Sequence, residues 1–220
     1  MTYLELCQSL RQRAGIGGGG PSAVASQTGE LALVVSLIDT AYEDIQDMRA
    51  DWTFMTHEFT FDCTSAVSNY VPATVSNVAN WNEYSFRTYL ASTGNETYLR
   101  YVPWEIFRDT RLFSSSRDNT GRPIEITIPP DKSLTVWPIP DATYTIGGQY
   151  VQQASVMALD ADVPIFDRYH LVIMYSALEQ YAGDVGLPTI YAIASKEKRK
   201  LLNRMYRDYL PKITVGRSMA

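Results

Sequence analysis

Between Thr28 and Trp52 the apolar residues return at steps of three and four. Leu31, Val34, Ile38, Ala41, Ile45, Met48 and Trp52 then line one stripe of a helix predicted over residues 29–52. Thr28 is its expected N-cap, and Glu30 falls in the first turn, where a carboxylate complements the helix dipole. Asp39, Glu43, Asp47 and Asp51 recur every four residues, which predicts a second face that shows carboxylates. A shorter amphipathic helix is predicted over 2–13. Thr2 caps it, Leu4, Cys7, Leu10 and Arg11 share one side, and Gly15 ends it in the left-handed conformation. The stretch "AGIGGGGPSA" and the polar residues after it, to Thr28, read as a flexible loop joining the two helices.

From His57 the period changes to two. "HEFTFDC" puts Phe59, Phe61 and Cys63 on one face, and "EYSFRTYLA" puts Tyr84, Phe86, Thr88 and Leu90 together. "ETYLRYV" follows a Thr93-Gly94-Asn95 hairpin turn, and "PWEIFRDTRLF" is a short helix opened by Pro103. "RPIEITI" and "SLTVWPI" flank the Pro129-Pro130-Asp131-Lys132 turn, and "TYTIGGQYVQQ" places Tyr144, Ile146 and Tyr150 on one face. Helical periodicity returns over 166–183, with Tyr169, Val172, Ile173, Leu178 and Tyr181, before Gly183 and Gly186 break it. A last helix starts at Pro188 and runs to 209, with Ile190, Ile193, Leu201, Leu202, Met205 and Tyr209 as its apolar set.

The expected fold class is therefore α+β. N- and C-terminal helices pack as a helical bundle with an inserted, mainly antiparallel β module, a small sandwich in form. The expected divisions are 1–56 (N-terminal helices), 57–155 (β module with a short helix), 156–210 (C-terminal helices) and 211–220 (a flexible tail). Parallel βαβ alternation is absent.

Charge changes the picture most. The chain has net charge −5, yet eight basic residues from Lys196 to Ala220 face only Glu197 and Asp208, a local +6 that leaves −11 for the rest. A basic end on an acidic body predicts a specific partner for that end, or association of one pole with the other, and argues against general nucleic-acid binding. The 15 tyrosines and 4 tryptophans suit half-buried sheets and interfaces. Two cysteines without CxxC spacing exclude a zinc framework, and no stretch has the apolar core of a signal peptide or a membrane span.

Candidate chemistry is thin. Gly15-x-Gly17-x-x-Gly20 matches a dinucleotide loop as a string, but a helix precedes it and Pro21 follows it, where the fold requires a strand and then a helix. The acidic stripe lacks the histidines and facing carboxylates of a bundle metal site. No nucleophile motif occurs, and His57 and His170 have no partner spacing. No catalytic, cofactor or metal residue is expected. The "KEKRK" run reads as a solvated helix face or as a docking surface for an acidic neighbour.

The order of "TGELA", "LIDTAYEDIQDMRADWTFM", "IPPDKSLTVWPIPDATYTIGGQY" and "LDADVPIFDRYHLVIMYSALEQYAGDVGLP" before a basic helix resembles the head-to-tail adaptor (connector) proteins of tailed bacteriophages. The Asp160-x-Asp162-x-Pro164 turn, Tyr169-His170 and the helix to Tyr181 carry most of it. The resemblance implies a structural, non-enzymatic virion protein of the head-tail junction, made in the host cytoplasm. It implies a homo-oligomeric ring of twelve copies below the portal protein, a tail or nozzle protein beneath, and double-stranded DNA passing through without specific binding. It implies no cofactor and no membrane. Carried onto this chain, it makes Lys196, Lys198, Arg199, Lys200, Arg204, Arg207, Lys212 and Arg217 the portal-binding set. In such a ring Asp39, Glu43, Asp47 and Asp51 are candidates for an acidic face of the DNA channel. Two other readings compete: a phage-tail β module binding a glycan or host surface, and an enzyme acting on cell-wall material.

Overall fold

The computed structural model describes residues 1–72, 75, 77–90 and 94–211. The fold is α+β, with helices at both chain ends and a central β module. The chain divides into two compact units, one from Met1–Met55 with Ala154–Ala220, the other Thr56–Gln153.

In the helical unit, α1 spans Tyr3–Ala14. Thr2 and Glu5 close a capping box at its start, and Gly15, at φ 74°, ends it. Its buried side is Tyr3, Leu6, Cys7, Leu10 and Ala14. Leu4, expected inside, is only half-buried, because α1 packs on two helices and the stripe turns toward Leu6. Helix α2, Gly29–Asp47, follows Thr28, whose side chain makes no cap bond. It ends five residues short of the expected Trp52. Trp52 is nevertheless fully buried, and its indole N–H donates to the Ile45 carbonyl at 2.9 Å, satisfying an orphan acceptor of the helix end. Met48, expected in the stripe, is exposed.

Helix α4 (Leu171–Val185) packs against α1, α2 and α5 (Pro188–Tyr209), and is buried nearly all round, from Val172 to Leu178 without a break. It begins at Leu171, not 166, after Tyr169 turns the chain at φ 67°. Gly183 lies within the helix and does not break it; Gly186, at φ 75°, ends it. The tight Gly186-Leu187 connection makes α4 and α5 antiparallel. Only Ala194 and Met205 of α5 are fully buried, and Ile193, expected inside, is 55% exposed.

The β unit holds two sheets. The five-stranded sheet runs β1 (Thr56–Cys63), β9 (Tyr144–Gln152), β4 (Arg87–Leu90), β5 (Asn95–Tyr98), with β3 (Val78–Trp81) also paired to β9. The four-stranded sheet runs β2 (Asn69–Tyr70), β8 (Leu134–Trp137), β7 (Glu125–Thr127), β6 (Arg100–Tyr101). All named pairs are antiparallel except β6 with β7. One core draws on both sheets: Phe59, Cys63, Trp81, Phe86, Ile126, Leu134, Val136 and Ile146. That is the layered packing of a sandwich.

Three local expectations change here. "ETYLRYV" is two strands in different sheets, because buried Leu99 carries the chain from one to the other. Tyr84 precedes β4 and is 88% exposed, away from Phe86 and Thr88. The short helix is one α-turn, α3 (Trp104–Phe107), continued by a π-turn over Arg108–Leu112. Of the hairpin turn, Gly94 takes φ 65° and Asn95 begins β5, while Thr93 lies outside the described residues.

Candidate interaction surfaces

The glycine loop is built around a cation. Arg11 donates to the carbonyls of Ile16, at 3.1 Å, Gly17, at 3.0 Å, and Gly18, while Gln8 donates to the Pro21 carbonyl at 3.0 Å. Phosphate loops turn backbone N–H groups inward. Here carbonyls converge instead, which is the wrong polarity for an anion. Arg11 sits on the inner side of α1 because it holds this loop. The loop is tied down, not loose as its composition predicts.

The segments that carry the family resemblance are ties of the same kind. Asp160 accepts from the Val24 N–H at 2.6 Å, and its carbonyl and that of Asp162 receive the Leu4 and Tyr3 N–H groups. The Asp162 carboxylate receives the N–H groups of Ala158 and Leu159 at 2.7 and 2.8 Å, bonds that hold it below the usual carboxylate range. Tyr169 donates to Asp208 at 2.5 Å, joining the start of α4 to the end of α5. His170 bonds the Phe166 carbonyl at 2.8 Å through Nε2, and burial pushes its pKa down. Sequence reasoning missed the largest tie. Buried Gln46 donates to the carbonyls of Tyr42 and Ser155 and accepts from the Ser155 N–H and hydroxyl, while the Tyr42 hydroxyl receives the Ile165 N–H. Gln46 lies off the apolar stripe, so periodicity gives no sign of it.

The four carboxylates expected on one face differ in their surroundings. Steps of four advance about 40° beyond a full turn, so Asp39, Glu43 and Asp47 span an arc of about 80°. Asp39 is half-buried beside the Tyr3 hydroxyl, and burial pushes its pKa up. Asp51 lies beyond α2 and pairs with Arg49 at 2.9 Å. Of these four, Glu43 and Asp47 are the ones that stand exposed on α2.

The basic set is also divided. Lys198 pairs with Glu179 of α4 at 2.8 Å, Lys200 with Glu197 and Arg207 with Asp208. Lys196, Arg199 and Arg204 are exposed and have no ion pair among the described residues; Lys212 and Arg217 lie outside them.

On the β unit, the outer face of the five-stranded sheet forms an open groove of about 620 Å³, bordered by Glu58, Tyr84, Arg87, Tyr98 and Gln149. Gly147 leaves its floor without a side chain. Arg87 lies 4.7 Å over the Tyr98 ring and pairs with Glu96 at 3.0 Å, so its charge is already engaged.

Among the described residues no group of three or more His, Cys, Asp or Glu could hold a metal ion, and no helix is long and apolar enough to cross a membrane. Cys7 and Cys63 are buried thiols, both pushed up to about 12 by burial. No curated protein sequence matches the chain. The model of the SU10 adaptor protein family matches residues 1–218, and the chain therefore belongs to this family of phage head-to-tail adaptors, structural proteins of the virion.

Proposed function

We propose that the chain is one subunit of a closed ring, twelve copies in the virion, seated below the portal and extending the DNA channel toward the tail. The observation that carries this is the local charge of +6 from Lys196 to Ala220 on a body of −11. A portal with an acidic underside would receive that end. The outer face of the five-stranded sheet, with exposed Tyr84 and Tyr98, is the surface offered to the tail-side protein. DNA passes through the ring without specific contacts. Assembly takes place in the host cytoplasm.

Deleting Lys212–Ala220 tests the portal contact. The truncated chain should bind isolated portal rings markedly more weakly than the full chain, with equal folding by circular dichroism. Full occupancy of portals by the truncated chain would place the contact elsewhere. Imaging of the assembled particle by cryo-electron microscopy counts the copies. In such a ring Glu43 and Asp47 can face either the channel, where they would repel DNA, or the seam between subunits.

A further inference from the structure

Helices α2 and α5 carry opposite charge and do not neutralise each other within one chain. Helix α2 has Glu30, Asp39, Glu43, Asp44 and Asp47 and no basic residue. Helix α5 has six basic residues against Glu197 and Asp208, and its ion pairs among the described residues run to α4 or within itself. Both helices pack on α4, with a groove lined by Leu37 and Tyr191 between them.

Their exposed faces share one spacing. On α2 the exposed row is Leu33, Ser36, Thr40, Glu43 and Asp47; on α5 it is Ile193, Lys196, Lys200, Asn203 and Arg207, with Arg204 beside it. Each row runs by steps of three and four, the period of a helix seam. Each begins with an exposed aliphatic residue, Leu33 at 42% and Ile193 at 55%, and becomes charged toward its C-terminal end. Laid parallel with Leu33 against Ile193, Asp47 meets Arg207 and Glu43 lies beside Asn203 and Arg204, while Lys196 and Lys200 face Ser36 and Thr40. Laid antiparallel, aliphatic ends meet charged ones.

The parallel direction is also the one that a ring supplies. Gln180 reaches Asp44 at 3.3 Å, while Gly183 and Leu37 line the same groove, so α2 and α4 are antiparallel. Since α4 and α5 are antiparallel too, α2 and α5 point the same way. Rotating one copy about an axis along the helices keeps that direction, and a heterologous contact of this kind closes into a ring.

We infer that the outer face of α5 in one subunit docks in parallel on the outer face of α2 in the next, forming the seam of the ring. The inference rests on the ring proposed above. It assigns Lys196, Lys200, Arg204 and Arg207 to the neighbouring subunit, and leaves Arg199, Lys212 and Arg217 to the portal. The seam spans about 21 Å from Leu33 to Asp47. Its charges fix register and partner more than they add affinity, so ring assembly weakens as salt rises.

The test is a charge exchange in the full chain, read by mass photometry of rings formed alone and on isolated portals. Glu43→Lys with Asp47→Lys should weaken ring formation by roughly a hundredfold, since it sets like charges together. Arg204→Glu with Arg207→Glu should do the same. The chain carrying all four substitutions should form rings again. All four positions are exposed, so circular dichroism should stay unchanged. Mixing Ser36→Cys with Lys196→Cys subunits and oxidising should give cross-linked dimers, because Cys7 and Cys63 are buried.

If wild-type chains form no closed assembly even on portals, the ring reading itself has failed and the seam with it. If wild-type rings form and either paired reversal forms them equally well, the ring stands and this seam is overturned. Rings that form normally from the Glu43→Lys, Asp47→Lys chain but retain DNA in filled particles place those residues in the channel.

Discussion

Glu125 offers the sharpest test of the β unit. It is 2% exposed, and Arg111 holds its carboxylate through contacts of 2.7 and 3.0 Å, with Arg100 as a second cation. Arg111 also lies 4.3 Å over the Trp137 ring. Arg111→Met keeps much of the stem over Trp137 and removes the charge. Breaking one partner of a buried pair costs about 3–5 kcal/mol. Arg100 remains, but its side chain is 69% exposed and compensates only in part, so a loss of about 2–4 kcal/mol is expected.

A two-unit chain need not unfold in one step, so the measurement should be local. Hydrogen exchange in β6, β7 and β8 reads the opening free energy of this unit directly. Its pH dependence gives an independent sign. Arg111, against the opposing effect of burial, holds Glu125 below the usual carboxylate range. A depressed folded pKa gives stability that is complete above the unfolded value of about 4.3 and is lost as pH falls through the lower folded one. In Arg111→Met burial dominates, so protection should fade at a higher pH than in the wild type. Adding Glu125→Gln should recover part of the loss, because it removes the uncompensated charge. A change under about 0.5 kcal/mol at neutral pH, with superimposable pH profiles, would refute the reasoning.

Other expectations follow from the same geometry. Arg11→Met should cost about 1–3 kcal/mol and raise hydrogen exchange across residues 16–20; NAD or ATP should leave the melting temperature of the wild type unmoved, and a shift of several degrees would restore the nucleotide reading. Gly148→Ala would set a methyl carbon 2.9 Å from the Phe86 ring and 3.1 Å from that of Phe59, so denaturation should show a loss of about 1–3 kcal/mol. Cys7 and Cys63, with thiols near 12, should resist a thiol reagent at about pH 8 until the chain unfolds; rapid labelling of the folded protein would contradict their burial.

The parts of the fold that were legible are those in which one face is buried and the other is not. The stripe of α2, the Thr2 and Gly15 caps and the alternation of β1 and β9 follow from periods of 3.6 and 2. The failures have separate causes. Trp52 continues the apolar spacing of α2 but is held from outside the helix by its own N–H. Gly183 is a helix breaker by propensity, yet it sits in a helix fixed by packing on three neighbours, and Tyr191 lies over it. "ETYLRYV" alternates without interruption, and alternation alone cannot say that a strand changes sheets at Leu99. The site was less legible still. Local sequence shows that Lys198 and Arg204 are both cations on one helix; only the fold shows that Glu179 occupies the first and leaves the second exposed.

That distinction bears on how a structural protein of the virion can have a specific function. The closing angle of a ring is set by how rigidly each subunit holds its two contact faces, and a small error in angle yields the wrong copy number or an open filament. In this chain α4 is buried from Val172 to Leu178 and packs against both α2 and α5, which fixes the angle between them. The Gln46–Ser155 clamp and the Asp160, Asp162 and Tyr169 bonds hold the segments around them. The polar residues of the family-like segments thus maintain an angle. Four exposed charges of α2 and α5 stand outside that frame: Glu43, Asp47, Lys196 and Arg204 form no ion pair among the described residues. In the proposed ring, weakening the clamp should therefore alter how the ring closes, while changing the exposed charges should alter whether neighbours bind at all.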